Sequence, residues 1–194
     1  MNADFLISVL NDVDNAARVN REKASNIVLE NPKLIKNLVE LTFNIDNKLS
    51  IKAAWVLEWI CTHHGIENIL PYLNVFTENL AQVHYDSAIR PCAKICEQLA
   101  TAYTSKTDNK VKLKLTEQHI DLIVETGFDW LITKQKIAVK AYTMSTLYYF
   151  GLEKKWVHPE LEHIIRTKVI HESKGCAARG KHVLEMVEKN KKSY

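Results

Sequence analysis

Glycine and proline are both scarce in this 194-residue chain, at five and four residues. An all-β fold needs a turn every 8 to 12 residues or so, so this scarcity argues against one. Cysteine is also sparse. Cys61, Cys92, Cys96 and Cys176 form no CxxC pair and lie in apolar helical stretches, where a free thiol packs as a small hydrophobe. That usage suits a reducing cytoplasm and offers no disulfide framework. No apolar run approaches the roughly 18 residues of a membrane span, so no membrane association is expected. The first residues, MNADFLISVLNDVDN, carry acids and no basic segment, which does not fit a signal peptide. GxSxG, GxGxxG, P-loop and HExxH strings are missing, and the expectation is a chain with no cofactor and no catalytic residue.

Charge of either sign is nearly balanced, with 26 Lys+Arg against 23 Asp+Glu and a formal net charge of +3. This is too little to argue for nucleic acid by itself. The excess sits at the carboxyl end: residues 154–194 hold 10 basic and 5 acidic residues. A tail such as EKNKKSY reads first as a solvated helix end.

What the chain does contain is repetition. Five strings, VNREKASNIVL, SIKAAWVLEWI, AIRPCAKICEQL, VKAYTMSTLYYF and AARGKHVLEMV, each set a basic residue near the start of an apolar helical stretch. These residues are Arg21, Lys52, Arg90, Lys140 and Arg179, spaced by 31, 38, 50 and 39. A period near 40 without strand signals predicts an all-α chain of stacked helix pairs.

About ten helices are expected, in five pairs forming one domain over 1–194. They cover about 2–11, 15–30, 32–43, 49–63, a stretch from Pro71 (PYLNVFTENLAQV), Asp86 or Ser87 to Tyr103, Thr116 to Leu131, 134–151, 158–169, and a last helix to about Asn190. The polar stretch Thr104–Leu115 predicts an inserted loop, and Thr116 is the natural cap of the helix after it. Continuation of the apolar stripes predicts burial of Leu57, Ile60, Ile95, Leu99, Leu147 and Leu184.

Three features bear on function. A basic residue recurring at one helical position would line up along one face of the stack. It either pairs with an acid in the preceding turn, as Asp46 with Lys52 or Asp86 with Arg90, or forms an anion-binding track. Trp55 and Trp59 share a helical face, with Lys52 and Glu58 as neighbours. Either both pack between helix pairs or one stands free as an anchor for a ligand. Arg90, Lys94 and Glu97, at i, i+4 and i+7, form either a local ion pair or a mixed-charge site beside Glu58. The candidate binding set is Trp55, Glu58, Trp59, Arg90, Lys94, Glu97, Lys140 and Arg179. Metal readings are weak: His63 and His64 point apart, His158 and His163 are five residues apart, and Cys92 with Cys96 lacks further ligands.

The repeated basic-plus-apolar helices resemble the HEAT-like (armadillo-type) helical-repeat superfamily over nearly the whole chain. The resemblance implies a right-handed α-α superhelix of about five helix pairs. It further implies a binding or scaffolding module whose concave face takes a protein segment or another anionic ligand. KAAWVLEWIC, FTENL, VHYDSAIRPCAKICEQL, VKAYTMSTLYYFG and WVHPEL are also similar to short bacterial proteins, mainly of Bacteroidetes type, often labelled adenylosuccinate lyase. Lyases of that superfamily are more than twice this length and carry a Gly-Ser-Ser-rich loop ending in MPxKxNP, a string this chain lacks. Helical-repeat alkylpurine DNA glycosylases are a further relative by fold, implying nucleic-acid binding as an alternative. In them Trp, Arg and a mid-helix Asp surround a damaged base; here Trp55, Trp59 and the basic ladder correspond to such parts, and the Asp does not.

Overall fold

The computed structural model describes residues 3–192. Among them every regular element is helical and there is no strand. The chain divides into two compact units, Met1–Ile95 and Cys96–Tyr194, with the boundary inside a helix.

The first unit begins with α1 (Ala3–Asn11) and α2 (Arg18–Glu30). The start of α2 falls later than its apolar stripe suggests, because the Asn15 side chain accepts from the Ala17 N–H and holds a turn there. Next come α3 (Lys33–Thr42) and α4 (Leu49–His63), packed on each other along their lengths. α4 also meets α1 and α2, so it is enclosed on several sides. Its residues from Val56 to Cys61 are all buried, as expected for a helix apolar all round. α4 stops at Gly65, whose φ of 105° lies where only glycine sits without strain.

The helix expected over PYLNVFTENLAQV is broken into shorter pieces. Ile66–Tyr72 is a 3₁₀ segment containing Pro71, then α5 (Leu73–Asn79) and a 3₁₀ turn at Leu80–Gln82 complete it. Pro71 lacks a backbone N–H, and it shortens what the apolar pattern alone would extend. α6 (Asp86–Tyr103) begins where its acidic first turn predicts.

The second unit takes the rest of α6. The expected loop at Thr104–Leu115 contains a helical turn, α7 (Lys110–Lys114). Asn109 caps it by accepting from the Lys112 N–H, while its side-chain amide donates to the Ala102 and Thr107 carbonyls. Val111 and Leu115 are buried, so two apolar residues pin a segment whose composition is otherwise polar. Thr116 caps α8 (Glu117–Ile132) as expected, in a reciprocal box with His119 in the place of the usual Glu.

α9 (Ile137–Gly151) packs against α8, α10 (Val157–Ile164) and α12 (Lys174–Lys191). It is thereby enclosed much as α4 is, and Thr143 to Leu147 are all buried. α10 runs on into a π-helical turn, Ile165–Val169, and a last α-turn, α11 (Ile170–Glu172). Helix therefore continues past 169, where the apolar pattern ended it, up to Ser173, whose hydroxyl accepts from the Cys176 N–H and caps α12. Gly151 lets α10 close in: a Cβ there would lie 2.1 Å from His158 Cδ2. The buried His158 ring donates from Nε2 to the Tyr148 carbonyl at 2.8 Å. Leu57, Ile60, Ile95, Leu99, Leu147 and Leu184 are all buried, so the helical phases read from the stripes hold.

All four cysteines are buried and unbonded. Burial pushes the Cys92 thiol up from an ordinary value of 9.0 to about 12. It raises Cys61 as well, with the Glu58 charge adding to the effect. In the unfolded chain these thiols ionise near their ordinary value, while the folded state keeps them protonated. Folding is therefore favoured below about pH 9 and loses that contribution as pH climbs towards 12. The urea midpoint should fall across this range, and a Cys92→Ala variant should show a shallower fall. An identical pH dependence in wild type and variant would contradict this assignment.

Candidate functional site

Glu58 lies in the middle of the enclosed helix α4, and the residue is 2% exposed. An unpaired carboxylate there would be costly. Three donors compensate. Arg21 Nη1, from α2, donates to Oε2 at 3.0 Å. Lys94 Nζ, from α6, makes a short contact with Oε1, and Thr62 Oγ1 donates to the same oxygen at 2.9 Å. The two cationic side chains keep 19% and 25% of their surface exposed. Two positive charges thus face one negative charge, leaving the cluster at a net +1.

Trp59 forms one wall. The Arg21 guanidinium stands 4.6 Å from its ring centroid, in the geometry of a cation–π contact. Arg18 lies at 5.8 Å and the His63 ring centroid at 3.9 Å. Trp59 is 5% exposed, and its indole N–H has no acceptor among the described residues. The buried Arg21 Nε–H also lacks one. Buried N–H groups without partners are rare in folded proteins, and here two belong to side chains stacked on each other. Trp55 differs from Trp59: it is half-buried, and its indole N–H donates to the Ser87 carbonyl at 2.9 Å. Neither tryptophan stands free.

The basic ladder resolves into individual contacts. Lys52 donates to the Asn11 carbonyl at 3.1 Å rather than pairing with Asp46. Arg90 is exposed. In the second unit, Lys140 is 1% exposed and donates to Glu172 Oε1 at 2.5 Å and to the Leu131 carbonyl at 3.0 Å. It closes the carboxyl end of α8 from inside and is out of reach of a ligand. Arg179 donates to Glu97 Oε1 at 3.4 Å and makes a short contact with Ser145 Oγ. Three ladder residues therefore pair with acids on other helices, not with acids one turn earlier.

The string Arg90, Lys94, Glu97 also separates. Lys94 reaches α4 and Glu97 reaches α12, so the local ion pair does not form. A buried, immobile acid on another helix attracts Lys94 more strongly than Glu97 on its own helix, which is only half-buried and already accepts from Arg179. Of the candidate residues, Glu58, Trp59 and Lys94 come together, and Trp55 lies on the same helix. Arg21, counted in the ladder but not among the candidate residues, completes the group. Its partner lies 37 residues away, and no local spacing reports such a pair.

Comparison with protein-family models, with curated proteins and with solved structures gives no match for this chain.

Removing the Glu58 carboxylate should be severe. Glu58→Ala leaves two partly covered cations without a counter-charge, and a loss of about 3 kcal/mol in unfolding free energy is expected. Glu58→Gln keeps an acceptor and should cost less. Urea unfolding of both variants checks this, and a loss below about 1 kcal/mol for Glu58→Ala would contradict it.

Proposed function

We propose that this chain is a non-catalytic binding or scaffolding module of the HEAT-like helical-repeat type, a right-handed superhelix of about five helix pairs acting in the cytoplasm. Its partner is an acidic protein segment. The packing of α3 on α4, of α8 on α9 and of α11 on α12 supports the pairing within each unit. The four unbonded cysteines support a reducing compartment.

One observation carries the binding reading. The Arg21–Glu58–Lys94 cluster holds a surplus positive charge beside two buried N–H groups that have no acceptor. A carboxylate on an incoming segment supplies the missing negative charge, and the parts of Arg21 and Lys94 that remain exposed are where it can meet the cluster.

The alternative, a glycosylase-like DNA-repair protein, needs a mid-helix carboxylate able to act on a substrate. Glu58 is the carboxylate that α4 offers, and both its oxygens already accept from Arg21, Lys94 and Thr62. That engagement favours the binding module.

The test titrates the protein with an acidic, Glu-rich peptide and with its Gln-substituted counterpart, following tryptophan fluorescence at two salt concentrations. The acidic peptide should bind, more weakly at higher salt, and the Gln peptide should not. Lys94→Ala, checked for folding by circular dichroism, should weaken binding about tenfold, or about 1.4 kcal/mol. Equal binding of both peptides, or no binding of the acidic one, would overturn the proposal. Tighter binding of duplex DNA than of either peptide would favour the repair reading.

A further inference from the structure

A cleft of about 400 Å³ in the second unit is lined by Thr133, Lys134, Gln135, Lys168 and Glu172. It lies where the turn after α8 meets the π-helical turn that follows α10. It is independent of the Glu58 cluster and of the function proposed for that cluster. Insertions of this π type recur at functional sites, which makes the lining worth reading group by group.

Two of the groups are acceptors. Glu172 is held in place because the buried Lys140 ammonium donates to its Oε1. Its Oε2 has no partner among the described residues. Gln135 presents a buried Oε1 that likewise has none. The orientation of this amide follows from its neighbour. The Thr133 hydroxyl spends its single proton on the Asp129 carbonyl at 2.6 Å, so towards Gln135 it can only accept. Gln135 Nε2 is the atom that faces it, at 3.5 Å. Oε1 is thus the orphan, and an acceptor without a donor calls for a ligand carrying N–H groups.

The other two charged groups are donors. Lys168 Nζ is anchored by a short contact to the Ile132 carbonyl, which uses one of its three protons. Lys134 is exposed and has no acidic partner among the described residues. A carboxylate is the natural counterpart of this pair.

We propose that this cleft binds a zwitterionic ligand of the α-amino-acid class. The ammonium of the ligand is received by Gln135 Oε1 and Glu172 Oε2, and its carboxylate by Lys134 and Lys168. A simple anion would leave the orphan amide oxygen unsatisfied, and a simple cation would meet two ammonium groups. Only a small molecule carrying both charges uses every polar group of the lining.

The test is an NMR titration of the isotope-labelled full chain. A pool of the natural amino acids is used first, then individual members, each compared with its N-acetyl and carboxamide derivatives and with acetate. A binding amino acid should shift the backbone amides of Thr133 to Gln135 and of Glu172, with a Kd of about 1 mM or tighter. Blocking either charged end should weaken binding about tenfold or more. Gln135→Leu should weaken the amino acid while leaving any response to acetate unchanged. Lys134→Ala, at an exposed position, carries the same test through the carboxylate should Gln135→Leu unfold. The absence of any shift at about ten times that concentration would overturn the proposal. So would acetate or the N-acetyl derivative binding as tightly as the free amino acid.

Discussion

A buried carboxylate that must be neutralised governs the first unit. Glu58 sits inside α4, a helix covered by α1, α2 and α3, where a lone charge would be driven out or protonated. It stays because Arg21 and Lys94 reach it from α2 and α6 and Thr62 supplies a third hydrogen bond. The pairing couples three helices through one side chain. It also fixes Arg21 over the Trp59 ring, so the aromatic wall and the cation are positioned together. A neutral residue at position 58 could fill the same volume, but it would leave Arg21 and Lys94 without a reason to converge.

The second unit uses the inverse arrangement. Its enclosed helix, α9, carries a buried cation in place of a buried acid. Lys140 is satisfied by Glu172 and by a carbonyl at the end of α8, which is the negative end of that helix's dipole. Lys168 closes the neighbouring carbonyl of Ile132. Two lysines from different elements thus cap one helix end, and Glu172 is immobilised as a consequence. Two groups on the rim of the adjacent cleft, Lys168 and Glu172, are therefore already fixed by folding, which would lower the ordering cost of the binding proposed there.

Much of this was legible in the sequence, and the rest was hidden for a definite reason. Helix positions followed from apolar periodicity, as the burial of Leu57, Ile95 and Leu147 bears out. Thr116 announced the start of α8 through its capping chemistry. The basic residues at recurring positions were visible too, but their partners were not. Sequence spacing reports neighbours within a turn or two, whereas these pairs are separated by 37, 36, 32 and 82 residues. The segment from Thr104 to Leu115 was misread because its helical turn rests on Val111, Leu115 and the Asn109 network. Composition averages over such single residues. Gln135 and Glu172 gave no signal at all: Gln135 reads as the polar first turn of the helix expected from 134, and Glu172 as part of an ordinary connection.

The central claim is that Glu58 and its two cations act as one unit. A double-mutant cycle measures this directly, using Glu58→Gln, Lys94→Met and the double variant, each followed by urea unfolding. A coupling of about 1.5 kcal/mol or more is predicted, with the double variant more stable than the sum of the single losses implies. Losses that add within about 0.5 kcal/mol would contradict the account, because the carboxylate and the ammonium would then contribute independently.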